Sequence, residues 1–183
     1  MGGSVIELER IKKNDPQLQD WMACHYSQPK GFVGRQLLYK IHYGTQVLGA
    51  TGGGSCILHL PKRNEFFGDI PRNSIVNNVF FHIEQPKEGY PLRNFASNVV
   101  KIWRQHILND WKSVYGDDVL GFETLVEPPR TGEVYRRDGW SQVAVTKGYT
   151  CKRTGGKGSD GWGGQRVWDK DHLRPKLVFY RKP

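Results

Sequence analysis

Basic, glycine and aromatic residues alternate between residues 147 and 164. Lysine and arginine side chains neutralise phosphates and release counterions, which gives sequence-independent affinity for nucleic acids. Glycines allow a close backbone approach to a ligand, and a tryptophan can stack on an unpaired base. A basic surface connection without such a ligand is the alternative. Our candidate DNA contacts are Lys147, Lys152, Arg153, Lys157, Trp162, Arg166 and Arg35.

The positive charge is concentrated near the C-terminal end of the chain. The sequence holds 27 Lys+Arg and 18 Asp+Glu, a formal net charge of +9. Residues 130–183 contain 13 of the basic and five of the acidic residues, so they carry +8 of that charge. A localised concentration of positive charge favours a polyanionic partner. Basic residues that serve only solubility would give the same net charge. We therefore expect DNA as the partner, with a homodimer left open.

Composition restricts the class of protein. The chain has 183 residues, of which 37% are hydrophobic and 12% aromatic, enough for one core of ordinary size. We expect one domain over residues 1–183, with residues 1–4 typical of an added tag. No apolar run approaches the roughly 20 residues of a membrane span, and no secretory signal is visible. The sequence has an odd number of cysteines, Cys24, Cys56 and Cys151, and their spacing shows no pairs. This pattern predicts reduced thiols and a cytoplasmic protein.

The order of the predicted elements indicates the α+β class. Mixed charge over residues 6–24 predicts one or two short helices, and apolar spacings of three and four predict a long helix at 92–115. A short helix at 132–139 and a basic glycine-rich loop at 147–175 follow. Runs of β-forming residues predict strands at 32–43, 46–60, 74–83, 119–126, 140–146 and 176–181. We expect a mostly antiparallel, mixed central sheet with a central βαβ unit and flanking helices.

This order resembles the GNAT acyltransferase fold. Residues 132–140 (GEVYRRDGW) are similar to the Tyr-x-x-x-Gly-aromatic pattern of that fold, with Tyr135 and Gly139 at the matching positions. A short helix would carry the tyrosine toward the sheet, and the glycine would end that helix. Cofactor-binding GNAT proteins usually have a basic glycine-rich loop before the long helix, where N–H groups hold a pyrophosphate. Residues 86–97 contain a single glycine, Gly89, and two prolines, which lack the N–H group that would bind the pyrophosphate. This composition argues against acetyl-CoA as the cofactor.

A narrower resemblance is to the Mom DNA-modification proteins of phages and to a related protein family of the Druantia anti-phage system. It spans about residues 24–146 and rests on the order of short motifs. These motifs are His25-Tyr26, residues 33–37 (VGRQL), Asn77-Asn78, residues 94–97 (NFAS), residues 122–128 (FETLVEP), Gly132-x-x-Tyr135 and Gly139-Trp140. The resemblance implies an enzyme that converts the exocyclic amine of adenine in DNA to a carbamoylmethyl form, which protects phage DNA from restriction.

By the same resemblance, the catalytic residues map onto His25, Tyr26, Glu127 and Tyr135. Imidazole and carboxylate groups can act as acid or base, and a phenol can donate a proton. The same group types are ligands of iron-type metals, so His25, Tyr26 and Glu127 are the expected ligands of iron or another divalent metal. Family proteins usually have Asp-Pro where this chain has Glu127-Pro128, which weakens the metal assignment.

Structural roles are the alternative for each of these residues. His25 can cap a helix, Glu127 can be a solvated loop charge, and Tyr135 can belong to the core. Ser97 at the start of the long helix could bind an anion through the helix terminus. No histidine–acid spacing accompanies Ser97, so it is not expected to be a nucleophile.

Two other functions remain open. The first is an acyl-CoA-dependent acyltransferase that acts on an amine of a small molecule or protein, and the second is a non-catalytic DNA-binding module of a defence system. An enzyme that modifies adenine in a duplex must flip the base or use single strands. Gly52–Gly54 and the loop from Gly155 to Gly164 are the expected walls of such a pocket. For a phage-encoded enzyme, the expected location is the host cytoplasm.

Overall fold

Nine strands and four α-helices make up the fold in the computed structural model, which describes residues 5–27, 29, 31–84, 93–154, 165–169 and 173–183. The strands are β1 (Ile6–Ile11), β2 (Gln36–Tyr43), β3 (Gln46–Ser55), β4 (Ile75–Ile83), β5 (Gly121–Val126), β6 (Ser141–Val145), β7 (Thr150–Thr154), β8 (Gln165–Asp169) and β9 (Leu177–Arg181). The helices are α1 (Pro16–Cys24), α2 (Arg63–Phe67), α3 (Phe95–Tyr115) and α4 (Glu133–Arg137).

Seven strands form one sheet in the order β1-β2-β3-β4-β5-β9-β6. Every neighbouring pair is antiparallel except β4 and β5, which are parallel and are connected through α3. Parallel neighbours need such a crossover, because a tight turn can join only antiparallel strands. The predicted α+β class, with a mixed sheet and a central βαβ unit, is confirmed. Within the described ranges, no helix is long and apolar enough to cross a membrane.

The first segment differs from its prediction. Residues 6–11 form strand β1 rather than a helix, paired with β2 from Ile6↔Tyr43 to Ile11↔Leu38. β1 is an edge strand, where exposed charged residues are common, so its mixed charge does not require a helix. The helix begins only at Pro16, after Asp15 accepts a hydrogen bond from the Leu18 N–H at 3.2 Å.

The predicted basic loop at 147–175 also contains regular structure. Strands β7 and β8 form an antiparallel pair, from Thr150↔Asp169 to Thr154↔Gln165. Below this pair, the Thr146 N–H donates to the Lys176 carbonyl and the Arg174 N–H to the Gly148 carbonyl, both at 2.9 Å. The hairpin therefore continues outward from β6 and β9.

The core lies on both faces of the sheet. On one face, α3 buries Trp103, Ile107 and Trp111 completely, against alternate residues of β2 such as Leu37. On the other face, α1 packs against Leu38 and its neighbours. Consecutive side chains of a strand point to opposite faces, so one strand serves both layers.

The strands β4 and β5 separate after a short paired stretch. They pair only from Ile75↔Gly121 to Asn77↔Glu123, whereas β4 continues its pairing with β3 as far as Ile83. A shift in the β3–β4 register leaves Val79 as an extra residue on β4, which bends a strand locally. At the point of separation, the Thr124 hydroxyl donates to the Asn78 carbonyl at 3.1 Å. A wedge therefore opens between the two strands.

Candidate functional site

A cleft of ≈ 800 Å³ occupies this wedge. It is bounded by the second half of β4, the end of β5, the residues after α1, Ala96 in the first turn of α3, and the loop that leads into α4. Beyond Asn77 and Glu123, the facing edges of β4 and β5 no longer pair with each other. The cleft thus has two strand edges as part of its wall, with backbone groups available to a ligand.

Tyr135 lies at the apex of the cleft. The short helix α4 starts after Gly132, which has a left-handed φ of 76°, and a Cβ there would lie 2.4 Å from the Phe179 ring. The Tyr135 hydroxyl donates to Asn78 Oδ1 at 2.6 Å. Burial raises the pKa of Tyr135 well above its ordinary value. The phenol is therefore protonated at neutral pH and can serve as a proton donor.

His25 lies just beyond the C-terminal end of α1, against β4. Its Nε2 lies 3.2 Å from the Phe81 carbonyl oxygen, and its Nδ1 lies 2.8 Å from Ser27 Oγ. A carbonyl only accepts, so Nε2 carries the proton and Nδ1 is the acceptor. Burial lowers the pKa of His25. Both ring nitrogens are therefore engaged in a neutral, structural arrangement.

Tyr26, Arg130 and Lys176 form the rim of the cleft, and Glu127 lies next to Lys176. The Arg130 guanidinium lies 3.6 Å from the centre of the Tyr26 ring. Burial raises the pKa of Tyr26, and the positive charge of Arg130 partly offsets this effect. The Glu127 carboxylate pairs with Lys176 Nζ at 3.1 Å. These contacts connect the segment after α1 with the segment after β5.

Aromatic side chains form one wall of the cleft. The His25 ring lies 4.3 Å from the Tyr26 ring and 4.9 Å from the Phe80 ring, centre to centre. His82 stacks nearly parallel to Phe80 at 6.2 Å, and burial lowers the pKa of His82. Phe32 meets Phe80 edge-on at 6.0 Å. Such a wall suits a flat or apolar group on the ligand.

The four residues that the Mom resemblance singles out therefore come together. His25, Tyr26 and Tyr135 line the cleft, and Glu127 is tied to it through Lys176. They belong to two parts of the sequence that lie far apart, residues 25–26 and residues 127–135. Their proximity agrees with a shared site.

The predicted metal set is wrong. Among the residues that the structure describes, no group of three or more His, Cys, Asp and Glu side chains could hold a metal ion. His25 uses both ring nitrogens in hydrogen bonds, and the Glu127 carboxylate is neutralised by Lys176. The three predicted ligands thus have other partners.

Other predicted site residues lie elsewhere. The Ser97 hydroxyl donates to the Asn94 carbonyl at 2.9 Å inside the first turn of α3, so it serves the helix. Arg35 pairs with Asp117 and lies over the Tyr115 ring at 5.0 Å, away from the cleft lining. Lys147 is exposed, Lys152, Arg153 and Arg166 lie on β7 and β8, and Lys157 and Trp162 lie outside the described residues.

The prediction that Gly52–Gly54 form a wall of the pocket is also wrong. Gly53 faces the core, because a Cβ there would lie 2.2 Å from Ile107 Cδ1 and 2.8 Å from Val76 Cγ1. Gly52 similarly approaches Leu38, at 2.4 Å. These glycines allow β3 to pack closely, rather than to border a pocket. Residues 155–164, the other predicted wall, lie outside the described residues.

Several residues of the cleft have no predicted role. Asn78 and Thr124 hold the point where β4 and β5 separate, Arg130 and Lys176 form the rim, and His82 belongs to the aromatic wall. The Asn77-Asn78 pair contributes to the Mom resemblance, which was the only available signal for Asn78. No local pattern in the sequence indicates the other residues, because their place in the cleft depends on which side chains come together in three dimensions.

Comparison with known sequences finds no matching family model and no matching curated protein. Solved structures do match. A Bacillus subtilis acetyltransferase in complex with CoA aligns with a TM-score of 0.57 at 12% identity, over 98% of this chain and 99% of that one. An Elizabethkingia anophelis GNAT acetyltransferase with acetyl-CoA bound aligns at 0.57 and 8% identity, over 97% and 98%. An aminoglycoside acetyltransferase with coenzyme A and kanamycin aligns at 0.58 and 10% identity, over 97% and 95%.

The chain has the GNAT acetyltransferase fold. These identities are low, so the likeness establishes the GNAT fold and leaves the substrate open. The argument against acetyl-CoA from residues 86–97 is contradicted, because matching GNAT structures hold CoA or acetyl-CoA. A missing glycine-rich pattern in one loop is a weak criterion, since the sheet and α3 also contribute backbone groups to this cleft.

Proposed function

We propose that this protein transfers an acyl group from a CoA thioester to an amine. The observation that carries the proposal is the separation of β4 from β5 around a cleft with the protonated Tyr135 at its apex. The CoA-bound structures of the same GNAT fold support the choice of donor.

The described residues fit such a cofactor. The unpaired edges of β4 and β5 can pair with the amide groups of an extended pantetheine chain. The first turn of α3 reaches the cleft through Ala96, which is one of the residues that line it. A helix N-terminus favours phosphate groups. Arg93, exposed just before the helix, adds positive charge.

When bound, a CoA thioester supplies an acyl group that is already activated toward an amine. Backbone N–H groups on the free edge of β4 can stabilise negative charge on the carbonyl oxygen under attack. Tyr135 can give its proton to the departing sulfur. His82 lines the cleft, and its pKa is lowered by burial, so it is neutral at pH 7 and can accept the proton that the amine loses.

The test combines binding with turnover. Acetyl-CoA and CoA are titrated calorimetrically, and thiol release is followed with a panel of amines. Ala96→Phe should narrow the cleft and weaken acetyl-CoA binding, whereas Leu58→Phe, at an exposed site outside the cleft, should not. Absence of acetyl-CoA binding by the wild type, or equal binding by both variants, would overturn the proposal.

A second candidate function is Mom-type modification of adenine in DNA. The aromatic wall of His25, Tyr26 and Phe80 favours it, because a purine can stack there, and Arg130 places a cation at the rim. The basic C-terminal third of the chain, with +8 net charge over residues 130–183, is suited to a polyanion.

Nucleoside mass spectrometry separates the two functions. DNA from cells that express the wild type, Tyr135→Phe or the control Glu7→Gln, at an exposed position on β1 outside the cleft lining, is digested and compared. A modified adenosine in the wild type and the control, absent from Tyr135→Phe, supports adenine as the acceptor. Unmodified adenine in all three samples, together with thiol release from acetyl-CoA on another amine, rejects it.

A further inference from the structure

The Asn78 carboxamide connects Tyr135 to the backbone of β3. Its Oδ1 accepts the Tyr135 hydroxyl at 2.6 Å, and its Nδ2 donates to the Gly52 carbonyl at 3.0 Å and to Thr51 Oγ1 at 3.2 Å. The Thr51 hydroxyl in turn donates to the Phe80 carbonyl at 3.2 Å. Asn78, Thr51 and Tyr135 are all buried. The chain of hydrogen bonds is thus shielded from water.

The orientation of this carboxamide is fixed by its partners. A rotated amide would place Oδ1 against the Gly52 carbonyl, where two acceptors would face each other without a proton. It would also leave the carbonyl of Gly52 unsatisfied in a buried position, which is costly. Oδ1 therefore faces Tyr135. In the absence of a ligand, the phenol donates a hydrogen bond to this oxygen.

The position of Asn78 gives this contact a catalytic meaning. Asn78 is the first residue of β4 beyond the last β4–β5 pair, and Thr124 of β5 holds its carbonyl at 3.1 Å. Its side chain is thus fixed to the point where the cleft begins. The Tyr135 hydroxyl, which is bound to this side chain, therefore lies at a defined distance from any ligand between the two strands. Such positioning lowers the entropic cost of a reaction.

We propose that Asn78 is a positioning residue for Tyr135, a role that rests on the proposed acyl transfer. Asn78 holds the phenol and its proton at the apex of the cleft until the thioester carbon–sulfur bond breaks. The hydroxyl then turns from Oδ1 to the sulfur and protonates the thiolate. His82, which has accepted the proton that the amine loses, releases it to solvent, and the phenolate takes up a proton from solvent, so the products are the amide and the free thiol.

A double-mutant cycle on turnover tests the link. Asn78→Leu should lower kcat by about 10-fold to 100-fold, as removal of an orienting partner commonly does. Its KM for acetyl-CoA should not change. In a Tyr135→Phe background, Asn78→Leu should cause no further loss, because the two residues act as a unit. An equal loss in both backgrounds would assign Asn78 a purely structural role and overturn the proposal.

A conservative substitution guards against misfolding of the leucine variant. Asn78→Asp keeps an oxygen toward Tyr135 and, while its carboxyl is protonated, a donor toward Gly52. Its kcat should match the wild type at low pH and fall as the introduced carboxyl ionises. A kcat that falls equally at every pH contradicts the proposal.

A measurement without cofactor keeps the two proposals separable. With ¹³C-labelled tyrosine, the Cζ signal of Tyr135 is assigned by its loss in Tyr135→Phe. The phenol donates to Oδ1, so removing that acceptor in Asn78→Leu should move the Tyr135 Cζ signal at neutral pH away from its wild-type position. If acyl transfer is absent but this shift occurs, the proposed function fails while the link between Asn78 and Tyr135 stands. An unchanged Tyr135 Cζ signal in Asn78→Leu overturns the link.

Discussion

Arg104 on α3 and Asp138, directly after α4, form a buried ion pair in which Nε and Oδ2 are 3.0 Å apart. The Trp140 indole N–H donates to the same carboxylate oxygen at 2.9 Å. This pair holds the short helix α4, and with it Tyr135, against the long helix. A helix of five residues is not stable alone, so tertiary contacts of this kind determine where the phenol lies.

Asp138→Asn should therefore destabilise the fold strongly. The substitution leaves the Arg104 charge buried without a counter-ion, and breaking a buried pair in this way costs about 3–5 kcal/mol. Urea unfolding measures the change in free energy. The matched control is Glu133→Gln, which breaks an exposed pair with Arg137 on the same helix and should cost no more than about 1 kcal/mol. Equal effects of the two substitutions would show that the buried pair does not anchor α4.

Tyr135→Phe should separate binding from turnover. The variant retains the ring in its pocket but lacks the proton that the departing sulfur needs, so kcat should fall by about 10²-fold to 10⁴-fold. Acetyl-CoA affinity, measured by calorimetry, should remain within a few-fold of the wild type. A variant with undiminished kcat would remove Tyr135 from the mechanism, and loss of acetyl-CoA binding would point to a structural role.

Stability should decline in mildly acidic solution because of His25 and His82. Burial lowers the pKa of both residues below the 6.5 of an exposed histidine. The unfolded chain then binds protons more readily than the native one, so stability is complete above about pH 6.5 and is lost as the pH falls toward the lowered values. Urea unfolding between pH 8 and pH 5 measures this slope.

The histidine assignment has a direct control. His25→Asn should reduce the loss of stability between pH 6.5 and pH 5, because one of the two groups that take up a proton on unfolding is removed. Asn64→Gln, at an exposed position without a titratable group, should leave the slope unchanged. If both variants retain the full wild-type slope, other groups are responsible for the pH dependence.

Gly53→Ala should destabilise the sheet where it contacts α3. The added Cβ would lie 2.2 Å from Ile107 Cδ1, and overpacking of a well-packed core typically costs about 1–3 kcal/mol. Ile107→Val removes the clashing methyl group, so the double variant should be more stable than the sum of the two single changes predicts. Thermal and urea unfolding of all four proteins measure this coupling, and strict additivity would contradict the close approach.

Local sequence patterns predicted much of the fold. The three- and four-residue spacing of Val99, Ile102, Trp103, Ile107 and Trp111 locates α3 almost to its ends, because helix periodicity is a property of neighbouring residues. Gly116 ends α3 with a left-handed φ of 77°, as expected for a C-terminal glycine. The β2–β3 hairpin around Gly44-Thr45 was predictable for the same local reason.

The sequence was misleading where the partner of a segment is distant. Residues 6–11 carry mixed charge, and only their pairing with β2, about 30 positions later, makes them a strand. Strand pairing depends on long-range contacts, so a local pattern specifies it poorly. The same limitation led to the incorrect placement of Gly52–Gly54 at a pocket wall, since their packing partners lie on α3 and neighbouring strands.

The sequence by itself determined the kinds of side chain available, the order of the elements and the concentration of positive charge after residue 130. Only the tertiary structure decided how they are used. His25 and Tyr135 meet in one cleft because β4 and β5 separate after three paired positions, and the predicted metal ligands find other partners there. The cause is physical: hydrogen bonds and ion pairs between distant segments compete for the same groups, and that competition is resolved only when the chain is packed.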